Sequence, residues 1–334
     1  MIKMSVHHDF MWSALLHLGS NFWYEVDNTA YTSHLANFAQ DDPKRGSVWQ
    51  IPASNTLRLD RDLWNEYTEA LKNAGANTLI LDIGDGIVYD SHPELAINGS
   101  WTRSEILSEI DRLHGMGFEL VPKLNFSTAH DIWLKEYSYM VSTPTYYKVC
   151  KDIIDEVCEI FKPRYLHLGM DEETYGNQKY YDYAVIRQND LWWHDLYYLV
   201  DCVERNNARA IMWSDYARYH PEEYAEKCPK TVVTSAYYYF DQFYGSITPD
   251  NEIKLRPFEF LEKHGFDQFP GGSNEYFDSN LELLSEYCKK TVSPEHLKGF
   301  ILTTWKEITE PWRTNLMNSA ECMKRARARY ESIK

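Results

Sequence analysis

VCKDIIDEVCEIFKPRYLHLGMDEE, residues 149–173, reads as an amphipathic helix running into a buried strand. Val149, Ile153, Val157 and Ile160 recur at helical spacing and form one apolar stripe. Residues 165–169 then make a short apolar run, and Asp171, Glu172 and Glu173 follow at its carboxyl end. The same unit recurs on both sides. Strand-like runs are expected at 13–19 (SALLHLG), 78–83 (TLILDI), 118–124 (FELVPKL), 210–213, 232–236, 266–271 and 299–304. Before the second run, Leu63, Tyr67, Leu71 and Ala74 share a helix face that Gly75 closes. Before the third, Thr102 and Glu105 make a capping box ahead of Ile106, Ile110 and Leu113. Further helices are expected over 194–204, 258–264 and 281–289. Strands alternating with helices imply parallel β/α units, and eight of them imply a closed (β/α)8 TIM barrel, an α/β fold.

No Gly/Ser linker, low-complexity tract or charge block divides the 334 residues, so a single domain over 1–334 is the expectation. The stretch 20–59, between the first strand and its helix, is long, aromatic and polar, and is read as a lid over the mouth.

Charge narrows the partners. Lys and Arg number 34 against 50 Asp and Glu, a formal charge of −16, which repels phosphate backbones and anionic membranes. No long uncharged apolar stretch offers a transmembrane helix, and MIKMSVHHDF lacks the apolar centre of a signal peptide. A cytoplasmic location is therefore expected, with neither nucleic acid nor membrane as partner; the oligomeric state is not readable. Six cysteines without a CxxC pair, and twelve histidines without HExxH, argue against a disulfide framework and a metal site. Aromatic residues reach 15%, which fits rings lining a sugar cleft, although composition alone favours rings packed beneath helices.

In a barrel of this kind chemistry gathers at the carboxyl ends of the strands. Those ends supply Asp82 and Asp85, Asn125 and His130, Asp171 to Glu173, Trp213 and Asp215, residues 237–241, Tyr276 and Asp278, and Trp305 and Glu307. Adjacent carboxylates such as Asp171 and Glu172 can divide labour, one ionised and orienting, the other holding a proton to donate. A solvated acidic turn at a helix start would look the same in isolation.

The order of these motifs resembles glycoside hydrolase family 20, the β-N-acetylhexosaminidases, over roughly residues 76–310. YLHLGMDEE is similar to the family's His-x-Gly-Gly-Asp-Glu strand, with Met170 at the second glycine. PEL, GSWTRSEI and GFELVPKLNFSTAHDIW follow the family's order upstream and put His130 at its histidine. IMWSD, EYFD and TWKE are similar to its Trp-Asp-Glu, Tyr-Leu-Asp and Trp-x-Glu strand ends. The resemblance implies a cofactor-free glycosidase that removes a terminal N-acetylhexosamine, or a modified version of it, with help from the substrate's own 2-acetamido oxygen. It implies Glu172 as general acid/base, Asp171 as the group orienting the acetamido N–H, and Tyr276 on the acetamido carbonyl. Trp213 and Trp305 would wall the sugar, with Asp215 and Asp278 beside them. Glu307 would take a hydroxyl, and His130 would tune the acid. Tyr239, in Tyr239-Phe240-Asp241, competes with Tyr276, which strand order favours.

Several positions depart from the family pattern. Ser20 stands where an arginine is usual, Gly86 where an aspartate is, and Asn125 where another aspartate is. Few residues precede the first strand, so the family's additional amino-terminal domain is not expected. Asp82 and Lys123 replace a histidine and a glutamate on neighbouring strands, and are expected to meet as an ion pair beneath the pocket. The alternative sends Lys123 to an anionic substituent of the substrate. Two other functions fit the residues: a retaining glycosidase with Glu307 or Asp215 as nucleophile, and a carbohydrate-binding barrel without turnover.

Overall fold

A computed structural model describes residues 6–22, 53–178 and 183–333. Eight parallel strands carry the fold: β1 (Met11–His17), β2 (Thr78–Asp82), β3 (Glu119–Lys123), β4 (Tyr165–His167), β5 (Arg209–Trp213), β6 (Val233–Ser235), β7 (Gly271–Ser273) and β8 (Gly299–Thr303). Their ladder runs β6-β5-β4-β3-β2-β1-β8-β7. Between its ends, Phe269 N donates to Thr234 O and Gly271 N to Ala236 O, both at 2.8 Å, so the wall curls back on itself. The expected (β/α)8 barrel is what the chain forms. The greater part of the stretch read as a lid, 23–52, lies outside the described residues.

Parallel neighbours need crossovers, and helices supply them. They are α1 (Arg61–Asn73), α2 (Arg103–Gly115), α3 (Pro144–Phe161), α4 (Asp190–Arg205), α5 (Asp215–Tyr219), α6 (Pro221–Lys227), α7 (Pro249–Lys263), α8 (Asn280–Thr291) and α9 (Arg313–Ser332). Local sequence sets their ends. Asp60 caps α1 by accepting from the amides of Asp62 and Leu63. Thr102 and Glu105 form the expected capping box of α2. Thr143 and Pro144 open α3, and Lys162 ends it with φ of 46°.

Two elements depart from expectation. The seventh strand, expected over 266–271, pairs regularly only at Gly271–Ser273. Pro270 has no N–H to donate, and before it only Gln268 pairs, through isolated bridges to Thr234 and Leu297 instead of a ladder. The helix expected over 258–264 is the second half of α7, whose interior contains Pro257, a residue that reads as a break in sequence.

Alternation along the strands divides two cores. Trp12, Ala14 and Leu16 face the helices, whereas Met11, Leu15, Ile80, Val121, Ile211, Val233 and Ile301 fill the barrel. Period two then turns His17, Asp82, Lys123 and His167 inward as well, one layer nearer the mouth. They are partners in strand register, His17 beside Asp82, Asp82 beside Lys123 and Lys123 beside His167. Lys123 Nζ lies 2.5 Å from Asp82 Oδ2, and both side chains are 1% exposed, so the expected ion pair is present. His17 Nδ1 approaches the same oxygen at 3.4 Å. Burial works against the Asp82 charge, but the Lys123 ammonium and His17 together hold its carboxyl below the ordinary range. Burial and the same ammonium push the His167 pKa far down.

Candidate active site

Sharp backbone turns at the end of β4 present the acids. Gly169 adopts φ of 73°, and a Cβ there would lie 1.9 Å from Asn125 Oδ1, so glycine is required by the close approach. Met170 and Glu172 also take positive φ, 68° and 56°. Left-handed backbone at two non-glycine residues is costly, and such strain concentrates where side chains must be aimed. Ser127 Oγ holds the Asp171 carbonyl.

Asp171 Oδ1 accepts from Asn125 Nδ2 at 3.1 Å. His130 Nε2 stands 3.5 Å from both Asp171 Oδ2 and Glu172 Oε2, so one imidazole spans the two acids. Burial opposes charge on His130, yet the two carboxylates raise its pKa above the ordinary histidine range. The acids titrate as a pair. Burial raises Asp171 against the opposing charges of His130 and Lys123. Glu172 also meets a burial penalty, but hydrogen bonding and charge from His130, and the Tyr237 hydroxyl, bring its pKa down. Its side chain is 42% exposed at the mouth, and that access to water supports the lowered direction. Glu173 has a different fate: it is clamped by Arg187 and accepts from Thr128 N, a structural role away from the pair.

Beyond β5 and β6, Tyr237 Oη donates to Glu172 Oε1 at 3.2 Å. Arg218 lies over the Tyr237 ring at 4.7 Å and reaches Asp215 Oδ1 at 3.5 Å. Burial pushes the Asp215 carboxyl up to about 7; Arg218 opposes this, and Glu172 and Asp171 reinforce it.

Aromatic rings make the walls. Trp213 and Trp305 sit 6.3 Å apart at 49°. Tyr237 stands perpendicular to Trp213 at 5.7 Å, and Tyr239 stacks on Tyr237 at 5.1 Å. Tyr239 is also 6.4 Å from Trp305, which completes a four-ring box. On the β8 side, Glu307 is buried and bonded by Arg58 Nε, while Arg58 Nη2 donates to the Ser20 carbonyl at 3.3 Å. Burial raises Glu307 despite the charge and hydrogen bond of Arg58.

The structure thus brings together Asp171, Glu172, His130, Trp213, Asp215, Trp305 and Glu307. Tyr276 and Asp278 are not in this cluster. β7 ends at Ser273, and Tyr276 emerges three residues beyond, 56% exposed and stacked on Phe240 at 6.2 Å. Its ring lines a separate cleft of about 590 Å³ with Lys306 and Trp312. Asp278 accepts from Asn318 Nδ2 at 2.7 Å, and its carbonyl from Arg325, which ties the turn to α9. Sequence reading placed Tyr237 among the strand-end residues without giving it a role, and missed Arg58. The run of three tyrosines after the sixth strand signalled Tyr237; nothing local signalled Arg58. Among the described residues, no three His, Cys, Asp or Glu side chains gather to hold a metal ion, and no helix is long and apolar enough to cross a membrane.

An acid pair and a ring-lined mouth thus stand together at one end of the (β/α)8 barrel. No protein-family model matches the chain. It is 21% identical over 135 residues to a lacto-N-biosidase from Bifidobacterium bifidum, a stretch covering 36% of this chain and 12% of that protein. In structure it is similar to the GH20 β-N-acetylhexosaminidase of Streptomyces coelicolor A3(2), with a TM-score of 0.56 at 13% identity, over 93% of this chain and 64% of that one. The GH20 exo-β-N-acetylglucosaminidase of Vibrio harveyi, solved with N-acetylglucosamine, gives 0.58 at 12% identity, over 95% and 54%. The barrel therefore resembles those of glycoside hydrolase family 20. The chain spans less than two thirds of these relatives' length.

Proposed function

We propose that this protein is a glycoside hydrolase that removes a terminal N-acetylhexosamine by a substrate-assisted, retaining mechanism. The observation that carries the reading is Asp171 and Glu172 side by side at the end of β4, spanned by His130 and facing the four-ring box. Glu172 donates a proton to the leaving oxygen. With the mouth open its carboxyl is hydrated; a sugar in the box removes that water, and desolvation then moves its proton affinity upward toward what a general acid needs. Asp171, buried and oriented by Asn125, holds the acetamido N–H so that the acetamido oxygen attacks the anomeric carbon. Water later opens that cyclic intermediate, with Glu172 returning as base.

For the acetamido carbonyl we favour Tyr239 over Tyr276. Its ring belongs to the box, whereas Tyr276 lines the neighbouring cleft with Asp278 at its rim. Trp213 and Trp305 flank the sugar, and Asp215 and Glu307 border it. A carboxylate-nucleophile mechanism is less well supported, since burial keeps Asp215 protonated up to about 7 and Glu307 is engaged by Arg58. Six buried cysteines, all free, support a reducing, cytoplasmic setting.

Aryl glycosides with and without a 2-acetamido group, offered to the wild type, test the reading. Hydrolysis confined to the acetamido series and inhibited by a thiazoline analogue supports it; equal turnover of both series overturns neighbouring-group participation.

A further inference from the structure

Asp171 lies between two non-glycine residues in left-handed backbone, Met170 and Glu172. Such backbone persists only where the surrounding structure over-determines it. One buried side chain grips both flanks of that turn. Arg187, its side chain 1% exposed, lies on the connection from β4 to α4, three residues before that helix begins. Its Nη2 and Nε donate to the two oxygens of Glu173, the second bond at 3.2 Å, and Nη2 stands 3.6 Å from Met170 Sδ.

The same fork reaches the neighbouring connection. Nη2 donates to Phe126 O at 2.8 Å. Phe126 sits between Asn125 and Ser127, the two side chains that hold Asp171, and Ser127 N donates to Asn125 Oδ1 at 3.0 Å. Nη1 is anchored on α4 by Asp195 Oδ2 at 3.2 Å. Asp195, wholly buried, also accepts from Ser142 Oγ at 2.6 Å and from Tyr147 Oη. A buried ion pair is weak evidence for stability, because desolvating the charges offsets most of their attraction. Its geometry suits positioning. A planar guanidinium donates in fixed directions, so it fixes the spacing between the β3 connection, which orients Asp171, and the β4 connection, which carries both acids.

We infer that Arg187 is a positioning residue, which acts by locking the β3 and β4 connections in the register that aims Asp171 and Glu172. This rests on the proposed glycosidase reading.

The test compares Arg187→Met and Arg187→Lys with the wild type, as full chains and well below their melting temperatures, on a nitrophenyl 2-acetamido-2-deoxy-β-glucoside. Arg187→Met should lower kcat about 10- to 100-fold, as expected when catalytic groups shift by about 1 Å, with KM little changed. Arg187→Lys, which keeps the charge and loses the fork, should fall between. A second readout needs no turnover: the pKa of the His130 imidazole, followed by NMR and assigned by its loss in His130→Gln. His130 stands 3.5 Å from both acids, so their displacement should lower its pKa in both variants. Removing a positive charge with the acids still in place would instead raise it. An unchanged kcat with a lower Tm, or a His130 pKa that holds or rises, overturns the inference in favour of a purely structural role. If Arg187→Met does not fold, Arg187→Lys decides: a lower kcat with a lowered His130 pKa supports the inference, and wild-type values overturn it. A wild type that hydrolyses no glycoside refutes the reaction, and the His130 shift alone then decides whether Arg187 aims the pair.

Discussion

On one side of the mouth, Asp171, Glu172 and His130 stand on the connections leaving β3 and β4, close together and close in sequence to their strands. On the other, Glu307 leaves β8 and meets an arginine that arrives from the far end of the β1–α1 connection. On the proposed reading the first side moves a proton: two acids share one imidazole, and Asn125 and Tyr237 fix one oxygen on each. On the same reading the second holds: its carboxylate accepts from Arg58 Nε, and Trp305 precedes it on the same connection. Chemistry confined to strand ends stays rigid, while recognition placed partly on a connection can change with that connection and leave the acid pair untouched.

The largest effect should fall on the proton-moving side alone. Glu172→Gln should slow glycosides with poor leaving groups by about 10²- to 10⁴-fold, since protonation by a placed acid contributes on that order. Activated aryl glycosides should lose much less, and KM should change little. Steady-state kinetics on a leaving-group series checks this, and equal loss across the series would remove Glu172 from the general-acid role.

The next effect lies beneath both sides, in the layer that supports them. Lys123→Met should destabilise the fold by roughly 3–5 kcal/mol by leaving Asp82 buried without its ammonium, while Asp82→Leu with Lys123→Met should regain much of that. The sign with pH follows from Asp82, whose carboxyl is held below its unfolded value. Its contribution is present above the ordinary carboxylate range and is lost as pH falls through the folded pKa. Denaturant unfolding at pH 7 and pH 3 should show the wild-type advantage over the double variant shrinking at the acid end. A constant gap would mean that the ion pair adds no pH-dependent stability.

The same layer shows what the sequence makes legible. Asp82 and Lys123 were readable as partners because strand order and period two fix which residues face each other inside a barrel, whatever the loops do. The acid pair, both tryptophans and Glu307 were readable because they lie at or just after strand ends, whereas His130, well past the end of β3, was placed by the order of the motifs around it. Tyr276 was expected in the site by strand count, but Pro270 delays the regular pairing of β7, and the chain carries Tyr276 past the rim. Arg58 was hidden because its place depends on backbone ties to Asn98 and Ile308, contacts distant in sequence that no periodicity reveals. Pro257 concealed half of α7 by a rule that tertiary packing overrides.

A smaller effect separates the box from the cleft beside it. Tyr239→Phe should lower kcat on 2-acetamido substrates by about tenfold or more, as for a donor lost from a developing negative charge. Tyr276→Phe should leave kcat unchanged. Reversal of that order would return the acetamido tyrosine to the β7 connection and shift the pocket toward the cleft lined by Lys306 and Trp312.

The smallest effect concerns how many charges the proton-moving side carries at neutral pH. Asp215 sits among Glu172, Asp171 and Arg218, and burial lifts its carboxyl to about 7, above its unfolded value. Between the two values the folded chain binds a proton that the unfolded chain has released, so this group's contribution to stability declines as pH rises and is lost once pH passes about 7. Asp215→Asn keeps the neutral shape and removes the titration. At pH 5 the variant and the wild type should melt close together. By pH 8 the variant should melt higher relative to the wild type, by roughly 2–5 °C for a chain of this size. Asp85, Asp171 and Glu307, also raised by burial, titrate in both proteins and largely cancel in the difference. Thermal melts across pH 5–8 read the gap directly. Parallel curves would mean that Asp215 is ionised throughout, which would place three adjacent negative charges on that side and restore Asp215 as a candidate nucleophile.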